Sequence, residues 1–200
     1  MPLTRDDWIR GALSAIATGG IAAAAVEPLA VRLGATKGSF YWHFRNRDHL
    51  ITEALLTWER EWTDELIIEY ERIADPRQRL RESYRMLIQD EQEESATDVA
   101  LLGSGGDPLA APIVARVQQK RLEYLERCFV GLGLPGSDAR QRARIAYSAY
   151  LGWFHQRATE GPASPRERAA YRRAVVDLLT APRLTSATNE RRGRLGGRER

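Results

Sequence analysis

Leu29–Phe44, with the sequence LAVRLGATKGSFYWHF, predicts two short helices joined by a tight turn. Gly34 tolerates the left-handed backbone conformation that such a turn requires, and Thr36 is a suitable N-cap for the second helix. Phe40 and Phe44 lie four residues apart, so they share one face of that helix and are expected to enter a small core. This order of packed helix, glycine turn and second helix is the layout of a helix-turn-helix, whose second helix enters the major groove of DNA.

The same stretch resembles the DNA-binding segment of the TetR family of transcriptional repressors. The resemblance extends from Thr4 to Leu50, and beyond Leu50 only the general helical layout agrees. It rests on a glycine turn, a short capped segment, two aromatic pairs and a basic residue that opens the next helix: Gly34, residues 36–39, Phe40-Tyr41, His43-Phe44 and Arg47. The resemblance implies an all-α fold, in which an N-terminal three-helix helix-turn-helix domain precedes a larger helical domain that binds a ligand and forms a dimer.

Three segments are expected along the chain of 200 residues. Residues 1–50 form the helix-turn-helix domain, and residues 51–183 form the effector-binding and dimerisation domain. Residues 184–200 are rich in Arg, Ser, Thr, Asn and Gly, which predicts a basic, disordered tail. The net charge of +3 and the pI of about 9.2 favour a polyanionic partner only slightly, so any DNA affinity must come from locally placed charge.

The resemblance and the residue types together predict which side chains contact DNA. These are Thr36, Lys37, Gly38, Ser39, Tyr41, Trp42, His43, Arg45 and Arg47. Lys37 is expected to read base edges because a flexible ammonium group reaches guanine acceptors, and Gly38 lets the backbone approach closely. Thr36 and Ser39 can donate to bases or phosphates, and Trp42 can pack on a sugar or a thymine methyl group.

The remaining four contact residues are assigned to phosphates: Tyr41, His43, Arg45 and Arg47. For His43 the alternative is an ordinary surface histidine. The chain departs from the family pattern just before the second helix, where the usual Ser or Thr is replaced by Ala25. A side-chain cap worth about 0.5–2 kcal/mol is therefore missing there, and so is the phosphate contact that it would make.

Helix start and stop signals recur along the whole chain. A first helix is expected to begin at Thr4, with Asp7 completing a capping box, and to stop at Gly19-Gly20. Later helices are expected to start at Asn46, Asp75-Pro76, Asp107-Pro108, Ser137-Asp138 and Ser164-Pro165. Acidic residues 90–94 are expected to close the helix that starts at Asp75-Pro76, and Gly103–Gly106 to break the chain before the helix that starts at Asp107-Pro108.

The last two helices, 137–160 and 165–182, are amphipathic neighbours. Such a pair can form half of a four-helix bundle that a second copy of the chain completes, or its apolar stripe can be buried within one chain. The resemblance implies the first arrangement, that is, a homodimer.

Other chemical signals have simpler explanations. The run 131–136, GLGLPG, satisfies the letter of a dinucleotide fingerprint, but an amphipathic helix rather than a strand precedes it. His43, His49 and His155 have no spacing suited to zinc, and His155 is expected to be either a bundle-interior histidine or a polar group in a pocket. Cys128 is expected in the core. No catalytic residue, metal or cofactor is therefore predicted.

The sequence favours a DNA-binding transcriptional regulator, most simply a repressor. The resemblance implies that a small-molecule effector, bound in an aromatic-lined cavity of unknown residues, releases the protein from double-stranded operator DNA. Because no secretion signal or long apolar run is present, a cytoplasmic protein without a membrane partner is expected. A non-enzymatic helical interaction protein is the alternative, and an enzyme built around a helical cavity has less support.

Overall fold

The computed structural model describes residues 3–88, 93–102 and 106–181, and all regular structure within these ranges is helical. In chain order the helices are α1 (Arg5–Ala23), α2 (Val26–Arg32), α3 (Lys37–His43), α4 (Arg47–Glu59), a π-helical turn (Arg60–Asp64), α5 (Glu65–Glu71), α6 (Pro76–Leu87), α7 (Glu93–Leu102), α8 (Ala110–Gly131), α9 (Gly136–Glu160) and α10 (Pro165–Thr180). The predicted all-α fold is confirmed.

The start and the interruption of α1 both follow from short-range chemistry. The Thr4 hydroxyl accepts from the Asp7 N–H, and the Asp7 carboxylate accepts from the Thr4 N–H, so the predicted capping box is present. The backbone leaves helical geometry at Gly19 and Gly20, where Gly20 has a φ of 70°. The helix resumes for one short turn to Ala23, slightly beyond the predicted stop.

Helices α2 and α3 form the predicted helix-turn-helix. Gly34 has a φ of 64°, and the Thr36 hydroxyl accepts from the Ser39 N–H at the start of α3. Phe40 and Phe44 are buried, as predicted, and the Phe40 ring meets the indole of Trp8 edge-on at a centroid distance of 5.3 Å. The buried face of α3 therefore fixes which of its residues point outward.

A long helix leaves this N-terminal core, and it contains a π-helical turn that the sequence analysis did not predict. Asn46 caps its start by accepting from the His49 N–H over 2.9 Å. The face from Leu50 to Trp58 is buried in the N-terminal core, and after the π turn Tyr70 is buried in a second core. One continuous helical segment, interrupted by the π turn, thus joins the two cores.

Helix α7 corrects the interpretation of the acidic run as a simple helix end. A helix forms over Glu93–Leu102, and it packs along α1 and also contacts α8 and α9. Leu101 is buried in the same core as Trp8. Helix α7 therefore contacts both α1 of the N-terminal core and the helices α8 and α9.

The second core forms between α6, α8, α9 and α10. Cys128 is fully buried in it, as predicted. Helix α8 begins at Ala110 rather than at Asp107, but the Asp107 carboxylate still accepts from the N–H groups of Leu109 and Ala110. Helix α10 begins with the predicted capping box of Ser164 and Glu167.

Some expectations concern residues that are not described, namely most of the acidic run, three of the four residues Gly103–Gly106, and the tail 184–200.

The N-terminal core includes Ile113 and Val117 of α8, so it draws on more of the chain than residues 1–50. Within the described ranges, none of the helices combines the length and apolarity needed to cross a lipid bilayer.

Candidate DNA interface and internal cavity

The outward face of α3 carries large exposed aromatic side chains. Trp42 is 88% exposed and Tyr41 is 63% exposed, although both adjoin a fully buried core. Thr36, Lys37 and Arg45 are exposed beside them. Aromatic groups with so much exposed area are costly in water, so this surface is better suited to contact with a partner than to solvent.

Lys37 lies at the start of α3, where its ammonium group pairs with the carboxylate of Glu27 in α2. Both side chains are more than half exposed, so the pair contributes little to stability and is easily exchanged for another anion. Gly38 follows on the same surface. A Cβ added there would meet only the Thr36 Oγ1 at 3.6 Å, which is an ordinary contact, so the fold of the free protein does not require glycine at this position.

Three of the predicted contact residues are half-buried: Ser39, His43 and Arg47. The Nε2–H of His43 donates to the Leu3 carbonyl over 3.0 Å. This hydrogen bond connects α3 to the residues just before α1. The phosphate contact of His43 stays a prediction, and the bond to the Leu3 carbonyl is an additional contact that the sequence did not indicate.

Arg47 makes a structural contact that sequence reasoning also missed. Its Nε donates to the Ala24 carbonyl over 2.9 Å, and its Nη2 donates to the Ile21 carbonyl over 2.5 Å. These carbonyls lie at the end of α1, where the Ile21 carbonyl also accepts from the Ala24 N–H over 3.2 Å. Helix α2 has no side-chain cap at Ala25, as predicted.

An internal cavity lies between the π turn, α5, α6, α8 and α9. It has about 530 Å³ of empty space, part of it open to solvent, of which about 50 Å³ admits the centre of a water molecule. The enclosed part of the cavity is therefore small, with room for a few water molecules, and the rest opens to solvent. Its lining is almost wholly apolar or aromatic: Trp62, Thr63, Leu66, Ile67, Tyr70, Ser83, Tyr84, Leu87, Arg121, Tyr124, Leu125, Ala146, Tyr147 and Tyr150.

Most lining hydroxyls already have partners inside the protein. Tyr84 donates to the Ala146 carbonyl, and Ser83 donates to the Arg79 carbonyl while accepting from Tyr124 over 2.7 Å. Burial raises the pKa of Tyr84 and of Tyr124 well above their ordinary value, so both are neutral phenols.

The Tyr70 hydroxyl is the exception. The residue is 6% exposed, and its buried hydroxyl oxygen has no hydrogen-bond partner among the described residues. Burial also raises the pKa of this phenol, so it stays a neutral donor at physiological pH. A buried hydroxyl without a partner costs about 1–3 kcal/mol of stability and is rare in folded proteins.

A buried carboxylate on α7 lies behind two of the lining residues, Arg121 and Tyr150. Asp98 accepts from the Nη1 of Arg121 over 2.5 Å, from the Nε1 of Trp58 over 2.8 Å and from the hydroxyl of Tyr150 over 2.6 Å. Burial lowers the pKa of Arg121, but Asp98, Tyr150 and Tyr147 together raise it above its ordinary value, so the guanidinium is charged. The group links α4, α7, α8 and α9.

Ion pairs hold the π turn on both sides. Just before it, the buried Glu59 accepts from Arg116 and from Lys120 of α8, and Lys120 also binds Asp64 over 2.7 Å. Within the turn, Glu61 accepts from Arg10 of α1 over 2.6 Å. The π turn thus lies where the long helix contacts both the N-terminal core and α8.

Helices α9 and α10 leave apolar side chains exposed. Ile145 is 58% exposed and Leu178 is 76% exposed.

His155, expected to be either interior or in a pocket, is instead exposed, because it lies on a different face of α9 from the buried Trp153. The run Gly131–Gly136 follows helix α8 and contains Gly133 at a φ of 85°, so it is a helix-to-helix turn as predicted.

Comparison with known proteins gives one family and several similar folds. Residues 9–54 match the family described as bacterial regulatory proteins, tetR family. No curated protein matches the chain in sequence.

Three solved structures of regulators have folds similar to this chain. A TetR-family transcriptional regulator from Agrobacterium tumefaciens has 21% identity and a TM-score of 0.76, and the match covers 88% of this chain and 97% of that one. AibR, solved with isovaleryl coenzyme A and operator DNA, has 20% identity and a TM-score of 0.70 over 90% of this chain and 99% of that one. FadR from Bacillus subtilis, solved with stearoyl-CoA, has 16% identity and a TM-score of 0.65 over 89% and 98%.

Proposed function

Since residues 9–54 belong to the TetR family of bacterial regulatory proteins, we propose that this transcriptional regulator is a homodimeric repressor that a small-molecule effector releases from its operator. The observation that carries the proposal is the exposed aromatic and basic face of α3 beside a fully buried core. It lies on the second helix of a helix-turn-helix, which is the element that enters the major groove in such domains.

We assign direct DNA contact to the exposed residues of this face: Thr36, Lys37, Gly38, Tyr41, Trp42 and Arg45. Lys37 exchanges Glu27 for base-edge acceptors, and Arg45 and Tyr41 bind phosphates. Ser39, His43 and Arg47 are assigned a supporting part at the edge of the interface, because each is half-buried and the last two hold backbone carbonyls.

The dimer is assigned to α9 and α10. Exposed Ile145 and Leu178 on two adjoining long helices favour burial against a second copy, which completes a four-helix bundle. A two-fold axis at this bundle lets each subunit read one half of a palindromic site.

The effector is assigned to the internal cavity. Its apolar lining with few polar groups is typical of small-molecule sites, and it adjoins the π turn of the helix that leads to the DNA-binding domain. The solved complexes of AibR and FadR with coenzyme A thioesters support ligand binding by proteins of this fold. A ligand that moves the π turn changes the placement of α3.

Selection of bound fragments from a random pool of double-stranded DNA tests this proposal. We expect enrichment of two inverted half-sites with centres about 34–36 Å apart, or further apart by whole helical turns. A double variant, Lys37→Ala with Arg45→Ala, provides the control and should enrich no sequence. Failure of the unaltered protein to enrich any sequence would overturn the proposal.

A further inference from the structure

The proposed effector cavity holds an unpartnered hydrogen-bond donor and no unneutralised charge among its described lining residues. From this combination we infer that its ligand is a narrow, neutral, mainly apolar molecule with one hydrogen-bonding oxygen or nitrogen bound to the Tyr70 hydroxyl. The inference rests on the proposed function for the cavity's regulatory role, but the ligand chemistry follows from the side chains alone.

The first argument is the Tyr70 hydroxyl. It is buried without a partner, whereas the hydroxyls of Tyr84, Tyr124 and Tyr150 all have partners within the protein. Buried polar groups are nearly always satisfied, and an exception at a cavity marks a place where a bound molecule completes the bond. Because the neighbouring side chains are apolar, the phenol selects a ligand by a single polar atom.

The second argument is the state of Arg121, the single charged side chain among the described residues of the lining. Its Nη1 and Nη2 bind Asp98, its Nε donates to the Thr63 hydroxyl over 3.0 Å, and Nη2 also donates to the Trp62 carbonyl over 3.1 Å. Four of the five guanidinium hydrogens therefore have acceptors. Asp98 neutralises its charge inside the protein.

The charge balance excludes an anionic ligand from this cavity. A carboxylate moved from water into an apolar cavity needs a cation of its own, and here the cation already has a carboxylate. Taking Arg121 for a ligand would leave Asp98 buried without its charge partner. A neutral alcohol, ketone, amide or ester avoids this cost, and the small enclosed volume favours a slender molecule over a bulky one.

Three probes with the same hydrocarbon chain test the inference: 1-octanol, octanoate at pH 7.5, and octanoyl-coenzyme A. Binding to the full chain is measured by calorimetry and by tryptophan fluorescence, since Trp62 lines the cavity. We expect saturable binding of 1-octanol and binding of octanoate at least about 10-fold weaker, because the anion loses its hydration without gaining a partner. Equal or tighter binding of octanoate or octanoyl-coenzyme A would overturn the neutral-ligand assignment, as would no saturable binding of 1-octanol.

The variant Tyr70→Phe tests the polar contact. It should weaken 1-octanol binding by about 2- to 10-fold, the range of one neutral hydrogen bond, without lowering the melting temperature of the free protein. Tyr84→Phe is the matched variant, because it removes a hydroxyl that already donates within the protein; it should lower the melting temperature and affect 1-octanol less than Tyr70→Phe does. Equal 1-octanol affinity in Tyr70→Phe and the unaltered protein contradicts the assignment of Tyr70.

A parallel measurement separates this inference from the proposed function. Unaltered protein and Tyr70→Phe should bind the DNA selected from the random pool with equal affinity in the absence of 1-octanol. If no DNA is selected, the regulator proposal fails while the octanol results still decide the chemistry of the cavity.

Discussion

The indole Nε1–H of Trp58 donates to the carboxylate of Asp98 over 2.8 Å, and both side chains are buried. Trp58 lies on α4, which extends from the N-terminal core, and Asp98 lies on α7, which packs along α1. The same carboxylate binds Arg121 and Tyr150 at the cavity. The Asp98 carboxylate therefore binds side chains of α4, which extends from the N-terminal core, and of α8 and α9, which line the cavity.

Replacing Asp98 with Asn should destabilise the protein strongly. The substitution keeps the shape of the side chain but leaves the Arg121 guanidinium buried without its counter-charge, which costs about 3–5 kcal/mol for such pairs. Urea denaturation followed by circular dichroism gives the free energy of unfolding. Glu69→Gln, on the exposed face of α5, is the control and should change it by less than about 0.5 kcal/mol. Equal small effects of both variants would contradict this account.

Replacing Gly38 with Ala should separate folding from DNA binding. The free protein has room for the added methyl group, and Ala favours a helix over Gly by about 0.5–1 kcal/mol, so the variant should be slightly more stable. DNA affinity should fall, because the methyl group occupies space that the DNA backbone needs. Gly136→Ala, at the start of α9 and distant in sequence from α3, should leave DNA affinity unchanged; a gain of affinity in Gly38→Ala would refute close approach at that residue.

Lys37→Ala and Arg45→Ala should affect DNA binding differently. Loss of the Lys37 ammonium removes a base contact, so discrimination between the selected site and random DNA should fall. Loss of Arg45 removes a phosphate contact, so affinity should fall on all sequences and the slope of log affinity against log salt should decrease by about one. Titrations at several salt concentrations on both DNAs distinguish the two. If the two variants lose the same affinity on both DNAs and show the same salt slope, the assignment of Lys37 to bases and Arg45 to phosphates is wrong.

Glu59 should make stability sensitive to acid. Its hydrogen bond to Arg116, together with Lys120, holds its pKa below the ordinary value of 4.5. The ionised form is therefore favoured in the folded state, and its contribution is fully present above about pH 4.5 and is lost as the pH falls through the lower folded pKa. Glu59→Gln should be less stable than the unaltered protein at pH 7, and this difference should shrink on acidification. A constant difference between pH 7 and pH 3 would contradict the prediction.

Replacing Leu178 with Glu should weaken self-association. The side chain is 76% exposed in the single chain, and a charge placed in the proposed apolar interface of α9 and α10 would have no partner there. Analytical ultracentrifugation should show a shift from dimer to monomer. Ile68→Glu, at an exposed apolar position on α5, is the control and should remain dimeric. Dimers of unchanged stability in Leu178→Glu would exclude this face.

Local chemistry explains why the N-terminal elements could be predicted. The caps at Thr4, Thr36 and Asn46 act within three residues, and the turn at Gly34 needs only its own backbone conformation. A short sequence window contains all of this information. The same is true of the capping box that opens α10.

The polar group at Asp98 could not be predicted in this way. Its partners Trp58 and Tyr150 lie 40 and 52 residues away along the chain, so no local pattern connects them. The acidic residues before it resembled a helix end, which concealed α7. The sequence does not identify the cavity residues either, because an aromatic residue recurs at the same helical spacing whether it fills a core or lines a cavity.

The spacing of apolar residues in the sequence does indicate the π turn. Trp58, Trp62, Leu66 and Tyr70 recur at steps of four, and in an α-helix of 3.6 residues per turn each such step drifts by about 40° around the axis. A wider turn absorbs part of that drift, since π-helical bonds span five residues. A strict four-residue step over several turns is therefore a usable indication of a π turn.

The two hydrogen bonds from Arg47 to the end of α1 have a mechanical consequence. They hold the first turn of α4 against α1, while the ring contact of Trp8 with Phe40 holds α1 against α3. In the proposed dimer, a tilt of α4 would therefore move each helix-turn-helix as a unit and change the distance between the two, without altering the side chains that either one presents. Regulation would then act on the preferred separation of the two half-sites, and the bases favoured within each half-site would stay the same.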